Sequence, residues 1–173
     1  MKIQQKKDEP QKTNARVFTI TQTDADTNNS VVSGDIFVSG ILTHALIDLG
    51  ATHSFASLTY VKRLGKLCEK LLEVFSTMLP SREILYSTHW LRGIPICIDG
   101  RELYTDLIML KMHDYEVILG MDWLSKYNAT IDCRKKTVIF EHSKEDEFMF
   151  IGTTSKSCIP LISIMKARRL LES

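Results

Sequence analysis

The sequence predicts a mainly β domain, built as a small barrel or a sandwich. Short segments rich in β-branched and aromatic residues recur along the chain, and turn signals such as Ser39 with Gly40 and Asp99 with Gly100 separate them. Between these segments only short stretches show helical spacing of apolar residues. With 173 residues, of which 44% are hydrophobic, the chain can form one domain with a buried core and tails.

The first part of the domain is predicted to be a hairpin that ends on an acid. Residues 17–20 can form a short strand, and the polar residues 21–30 are expected to be a loop. Residues 31–38 and 41–48 have the composition of strands and are close enough in sequence to pair. The second of these strands ends at Asp48.

A short helix and a second hairpin should follow. Residues 57–64 carry apolar side chains at helical spacing, and Gly65 stands where a C-cap glycine is expected. Strands at 74–79 and 84–86 then flank a polar tip. The tip residues are Pro80, Ser81, Arg82 and Glu83.

The remaining strands are predicted at residues 90–98, 103–110, 116–120, 129–133 and 137–140. Pro95 favours an edge or a bulge within the first of them, because proline cannot donate a ladder hydrogen bond. Residues 121–127 are predicted to form a short helix. Pattern alone does not distinguish a closed barrel from a sandwich.

The domain is expected to span residues 15–141. The polar, unpatterned residues 1–14 are interpreted as a disordered leader, and residues 142–173 as a linker whose stretch 159–171 has helical character.

Composition excludes several classes of function. A net charge of +1 gives no electrostatic basis for binding nucleic acid or an anionic membrane. Charged residues interrupt every apolar run before membrane-spanning length, and no secretory signal is visible. The four cysteines form no C-x-x-C pair and have no histidine at ligand spacing, so we expect neither a metal nor a cofactor.

Asp48 is the candidate for chemistry. It closes a strand and is followed at once by Leu49, Gly50 and Ala51, so its carboxylate should lie on a tight loop. Two carboxylates held close together share one proton: one acts as general base on a water while the other polarises a carbonyl. The chain has one such loop, so a pair requires two copies related by a two-fold axis. Alone, an Asp-x-Gly-Ala string is a weak signal, because most such strings are turns.

Two longer blocks make the signal specific. The stretch ALIDLGATHSF at 45–55 resembles the active-site loop of the retropepsin-like proteases of Ty3/Gypsy-type retrotransposons. The stretch YEVILGMDWL at 115–124, with IDC at 131–133 and TVIF at 137–140, resembles a later part of the same domain. This resemblance covers residues 15–141 and implies a small closed acid-protease barrel that works as a homodimer.

The resemblance also implies roles for individual residues. Asp48 would be the catalytic aspartate, and Gly50 and Ala51 would support it with their N–H groups. Further loop and support residues are Leu49, Thr52, Ile118, Leu119 and Gly120. Residues 80–83 would form the tip of the flap that covers a polypeptide substrate. That substrate would be the element's own polyprotein, in the cytoplasm or in virus-like particles.

Two residues depart from the family pattern. Leu49 stands where the family has Ser or Thr, whose hydroxyl would bridge the two copies, and Arg82 stands where glycine is usual in the flap. These departures favour an alternative: a catalytically impaired remnant of the same fold that acts as a dimerisation or peptide-binding module. A third interpretation, a shuttle-type protease domain of the ubiquitin pathway, has no ubiquitin-like segment to support it.

Other polar residues have simpler explanations. Asp122 is interpreted as an acid that stabilises the start of a helix. The five histidines have no spacing that suggests a metal site, and Ser54 lacks the G-x-S-x-G setting of a serine hydrolase. Trp90 and Trp123 are expected to pack in the core or at an interface.

Overall fold

The computed structural model describes residues 12–16, 31–79, 81–143 and 146–153. These residues form a mainly β domain with two short helices, α1 (Leu58–Leu64) and α2 (Met121–Lys126). The strands are β1 (Lys12–Arg16), β2 (Val31–Val38), β3 (Ile41–Asp48), β4 (Phe55–Ser57), β5 (Glu69–Met78), β6 (Ile84–Ile98), β7 (Arg101–Leu110), β8 (Val117–Leu119), β9 (Ala129–Asp132), β10 (Thr137–Ser143) and β11 (Asp146–Ile151). Neither helix has the length and apolarity needed to cross a membrane.

The main sheet closes on itself. Its strand order is β1-β5-β6-β2-β3-β8-β4-β7, and an additional pairing of β6 with β7 joins the last strand back to the third. The predicted closed barrel is therefore confirmed. A separate three-stranded sheet, in the order β11-β10-β9, covers part of the same core.

The predicted turns and the first helix are found where local chemistry indicated them. Ser39 and Gly40 both have positive φ, at 50° and 76°, and Asp99 and Gly100 repeat these two values at the β6–β7 turn. Helix α1 ends at Leu64 and is capped by Gly65, whose φ of 63° lies in the left-handed region.

Buried Tyr60 fastens α1 to the barrel. Its hydroxyl donates to the carbonyl oxygen of Val38 at 3.1 Å, while its backbone N–H donates to Oγ of Ser57 at the helix start. Burial, partly offset by the nearby Arg63 charge, raises the pKa of Tyr60 to about 12.

Strand β6 is longer than predicted. The two strands expected at 84–86 and 90–98 are one continuous strand, Ile84–Ile98, because β7 pairs with its second half and β5 with its first. The bulge falls between Leu91 and Ile94, where Gly93 has a φ of 57°, rather than at Pro95. Pro95 itself pairs with Tyr104, and its carbonyl accepts a hydrogen bond from Ser39.

The domain extends further at its carboxyl side than the sequence indicated. Residues 146–151, assigned to a linker, form β11 on β10, and Phe148 is buried against Phe140 with ring centroids 4.9 Å apart. The free energy gained by burying this aromatic side chain favours the strand, although the residues around it in the sequence are charged. The stretches 154–173 and 17–30, including the predicted strand at 17–20 and helical segment at 159–171, lie outside the described residues.

The domain also begins earlier than expected. Residues 12–14, assigned to a disordered leader, belong to β1, which pairs in parallel with β5. The pairing is made by backbone groups over five residues, so no hydrophobic pattern in the sequence predicted it. Residues 1–11 lie outside the described part of the chain.

Candidate active site

Asp48 is buried at the carboxyl end of β3. It is the one acidic residue of the described part of the chain whose side chain is fully shielded from solvent, with 0% exposure. The backbone N–H of Gly50 donates to its Oδ1 at 2.7 Å. The N–H of Ala51 donates instead to the backbone carbonyl of Asp48 at 3.2 Å, so one of the two expected amides supports the carboxylate and the other fixes the turn.

Strand β8 lies directly beside β3 and holds it in place. Its three residues pair in parallel with Ala45, Leu46 and Ile47, and Ile118 and Leu119 are both fully buried. A charge-free, close-packed wall therefore stands beside the strand that carries Asp48.

Gly120 lies against the loop that carries Asp48, residues 48–54, which we call the Asp48 loop. A Cβ added to Gly120 would stand 2.3 Å from the carbonyl oxygen of His53 and 2.7 Å from that of Ala51. The N–H of the following residue, Met121, donates to the Ala51 carbonyl at 2.8 Å. Only glycine permits this approach of the two backbones.

Ser54 and Asp122 form a second connection between the same two segments. Ser54 donates to Asp122 through its backbone N–H at 3.0 Å and through Oγ at 2.7 Å. Its Oγ also accepts the N–H of Gly120 at 3.1 Å. Asp122 does lie in the first turn of α2, but it also anchors the Asp48 loop. Sequence reasoning missed this role because the partners are 68 residues apart; the acid two residues after Gly120 was the available signal.

The hairpin of β5 and β6, which we call the flap hairpin, has its tip at residues 79–83. The N–H of Leu79 donates to the Glu83 carbonyl at 2.9 Å, and the N–H of Arg82 to the Leu79 carbonyl at 3.0 Å. Arg82 has a φ of 66°, the region that favours glycine, which accounts for the family's usual glycine there. Ser81, Arg82 and Glu83 are exposed. The fourth predicted flap residue, Pro80, lies outside the described residues.

The flap hairpin lies beside the Asp48 loop. The ring of Phe75 on β5 packs edge-on against His53, with centroids 5.3 Å apart. Thr52 is exposed, and its Oγ1 lies 3.0 Å from Nδ1 of His53. Leu49 is 39% exposed in the single chain, directly after the buried carboxylate.

Within the described ranges, no three His, Cys, Asp or Glu side chains are grouped so that they could hold a metal ion. The arrangement that is present is a buried carboxylate on a rigidly anchored loop, next to a hairpin with an exposed polar tip. Such a site is suited to acid–base chemistry on an extended chain lying between loop and hairpin.

Known proteins resemble this chain in sequence or in fold. The sequence model of the family described as retroviral aspartyl protease matches residues 11–146. The retroviral protease-like domain of Ddi1 from Leishmania major has a TM-score of 0.52 at 14% identity, over 70% of this chain and 94% of that one. EIAV protease complexed with the inhibitor HBY-793 has a TM-score of 0.41 at 18% identity, over 57% of this chain and 89% of that one. No curated protein matches the sequence.

Proposed function

The chain belongs to the retroviral aspartyl protease family, and on that basis we propose that it is an aspartic endopeptidase with Asp48 as its catalytic residue. The observation that carries this proposal is the burial of the Asp48 carboxylate with a direct hydrogen bond from the Gly50 amide. Burial of an acid is costly unless hydrogen bonds stabilise it, and such strongly perturbed acids are concentrated at functional sites. Here hydrogen bonds from the backbone N–H groups of Ala51, Ser54, Gly120 and Met121 also fix the loop around it.

The proposed reaction needs two copies of the chain. Each copy contributes one Asp48, and the two carboxylates share a proton across a two-fold axis. The ionised carboxylate takes a proton from a water, which attacks the peptide carbonyl carbon, while the protonated carboxylate donates a hydrogen bond to the carbonyl oxygen. The C–N bond of the resulting tetrahedral intermediate then breaks, and the leaving amine takes a proton from the carboxyl group that had accepted one from the water, so that one water is consumed and two shorter chains are released.

We propose a polypeptide substrate, with the polyprotein of a retrotransposon as the natural one and the cytoplasm or a virus-like particle as the place of cleavage. The sequence blocks around Asp48 and Gly120 support this origin. The flap hairpin supports an extended substrate, because it packs beside the Asp48 loop through Phe75 and has an exposed tip that can close over a chain lying between the two.

The decisive experiment is turnover of a polyprotein-derived peptide library by the full chain and by Asp48→Asn. We expect cleavage by the parent that pepstatin inhibits, and none by the variant, because an amide cannot exchange the proton that the reaction requires. Asn can still accept the Gly50 hydrogen bond, so circular dichroism and thermal unfolding should match the parent. Cleavage retained by Asp48→Asn would refute the assignment.

A second candidate function is supported by Leu49. A leucine beside the carboxylate has no hydroxyl to bridge two copies, which favours a catalytically impaired module that retains dimerisation or peptide binding. The two candidates differ in one measurement. If only Leu49→Ser cleaves peptide, and Leu49→Ser with Asp48→Asn does not, the natural chain is the impaired module. Cleavage by the natural chain supports the endopeptidase.

A further inference from the structure

The amino-terminal strand β1 occupies one edge of the flap hairpin. Strand β5 uses one edge for β6 and the other for β1, whose residues 12–16 pair in parallel with residues 74–78. Strand β1 has no other partner in the main sheet and is its terminal strand. Its backbone pairing is therefore with the flap hairpin and not with a strand of the barrel wall.

The side chain of Ala15 shows where this strand lies relative to the candidate active site. It is 2% exposed and belongs to the same buried cluster as Ala51 of the Asp48 loop. Val31, which pairs with Asp48, is in that cluster too, and Phe75 of the flap hairpin packs against it. Strand β1 is thus paired to the flap hairpin and packs, through Ala15, in the buried cluster that also contains the Asp48 loop residue Ala51.

We propose that residues 12–16 are an internal occupant of the peptide-binding groove, so that the chain's own segment competes with any peptide for the edge of β5. This inference rests on the proposed function, since the groove is the one that a substrate would enter. Strand addition to an exposed sheet edge is a general mode of peptide recognition, in which backbone hydrogen bonds supply affinity and small pockets select side chains. Ala15 would occupy such a pocket.

Covalent attachment makes this competition effective. A segment joined to the domain by a short connection has an effective concentration on the order of 1 mM. A free peptide displaces it only if the peptide concentration exceeds that value or if the peptide binds more tightly than the segment does. Releasing the segment should therefore strengthen the binding of a free peptide by about tenfold or more.

The test uses the full chain with Asp48→Asn, so that peptide binding is measured without cleavage. Two further changes release β1: Ala15→Arg, which cannot fit the buried position, and replacement of residues 12–16 by alternating Gly and Ser. Ala15→Ser is the matched control that keeps the strand. The probe is a fluorescent peptide of residues 10–18, read by anisotropy. A second peptide with Arg in place of the alanine is the specificity control.

Hydrogen exchange checks the release itself. In both released forms the amides of residues 74–78 that face β1 should lose protection, while those that face β6 and those of Ala45–Ile47 in the barrel should keep it. We then expect the released forms to bind the alanine peptide about tenfold or more tightly than the Ala15→Ser control, and the arginine peptide weakly.

Three results would overturn the inference: equal binding by released and control forms, released forms that bind neither peptide, or unchanged exchange at residues 74–78. None of these depends on catalysis, so absence of peptidase activity would count against the proposed function alone.

Discussion

Replacement of Gly120 by alanine should disrupt the support of the Asp48 loop. The backbone of Gly120 has a φ of −102°, which any residue can adopt, so the cost of the change comes from contacts alone. The new Cβ would meet the carbonyl oxygens of His53 and Ala51 at 2.3 and 2.7 Å, and these backbone atoms cannot swing away as a side chain end could.

The magnitude follows from two terms. Overpacking of this kind costs about 1–3 kcal/mol. Moving the loop also weakens the hydrogen bond from Met121 to the Ala51 carbonyl, which contributes about 1 kcal/mol. We therefore expect Gly120→Ala to lower the free energy of unfolding by about 2–4 kcal/mol.

The assay is urea unfolding followed by circular dichroism, with Gly40→Ala as the matched control. A Cβ added to Gly40 would meet nothing within 4 Å, but the φ of this residue is 76°, so alanine there should cost only about 1 kcal/mol. A Gly120→Ala variant no less stable than Gly40→Ala would refute the close-approach argument.

Three other changes test separate contacts. Leu49→Ser should lower the dissociation constant of the dimer about tenfold in sedimentation experiments, because each copy would regain a hydrogen bond of about 0.5–1.5 kcal/mol. An unchanged dissociation constant would show that residue 49 does not bridge the copies. Ser54→Ala should lower the free energy of unfolding by about 2–3 kcal/mol. Asp122→Asn should lower it by less, because the amide oxygen can still accept a hydrogen bond from Ser54. Equal losses would contradict the proposed anchoring. Because burial raises the pKa of Tyr60 from 10.0 to about 12, the unfolded chain ionises first as pH rises. The free energy of unfolding should then fall by up to about 3 kcal/mol as the pH rises from 10.0 to about 12. Tyr60→Phe should remove this decline, and the control Tyr86→Phe, at an exposed position, should keep it.

Much of the fold could be predicted because its signals are local. The turn at Ser39 and Gly40 and the helix end at Gly65 each depend on residues whose backbone preferences are visible in the sequence. The position of Asp48 at a strand end was equally local. These features needed no knowledge of what lies opposite in space.

The remainder depends on pairings between distant segments. The bond from Ser54 to Asp122 and the contact of Gly120 with His53 join stretches more than sixty residues apart, and no periodic pattern encodes such a contact. The burial of Phe148 was missed because charged neighbours obscured the alternation of the strand that carries it. Support of a site is thus harder to infer from one sequence than the site itself.

Strand β6 has a mechanical consequence for the candidate site. Its first part forms one arm of the flap hairpin, and its second part is a stave of the closed barrel that pairs with β2 and β7. A force on the hairpin tip is therefore transmitted along β6 into the barrel sheet. There β6 lies two strands away from β3, the strand that carries Asp48. The ladder of hydrogen bonds is irregular at two register shifts, between Lys70 and Phe75 and between Leu91 and Ile94, and we expect the hairpin to bend there. Stiffening either shift should slow the bending of the tip without altering the shape of the wall.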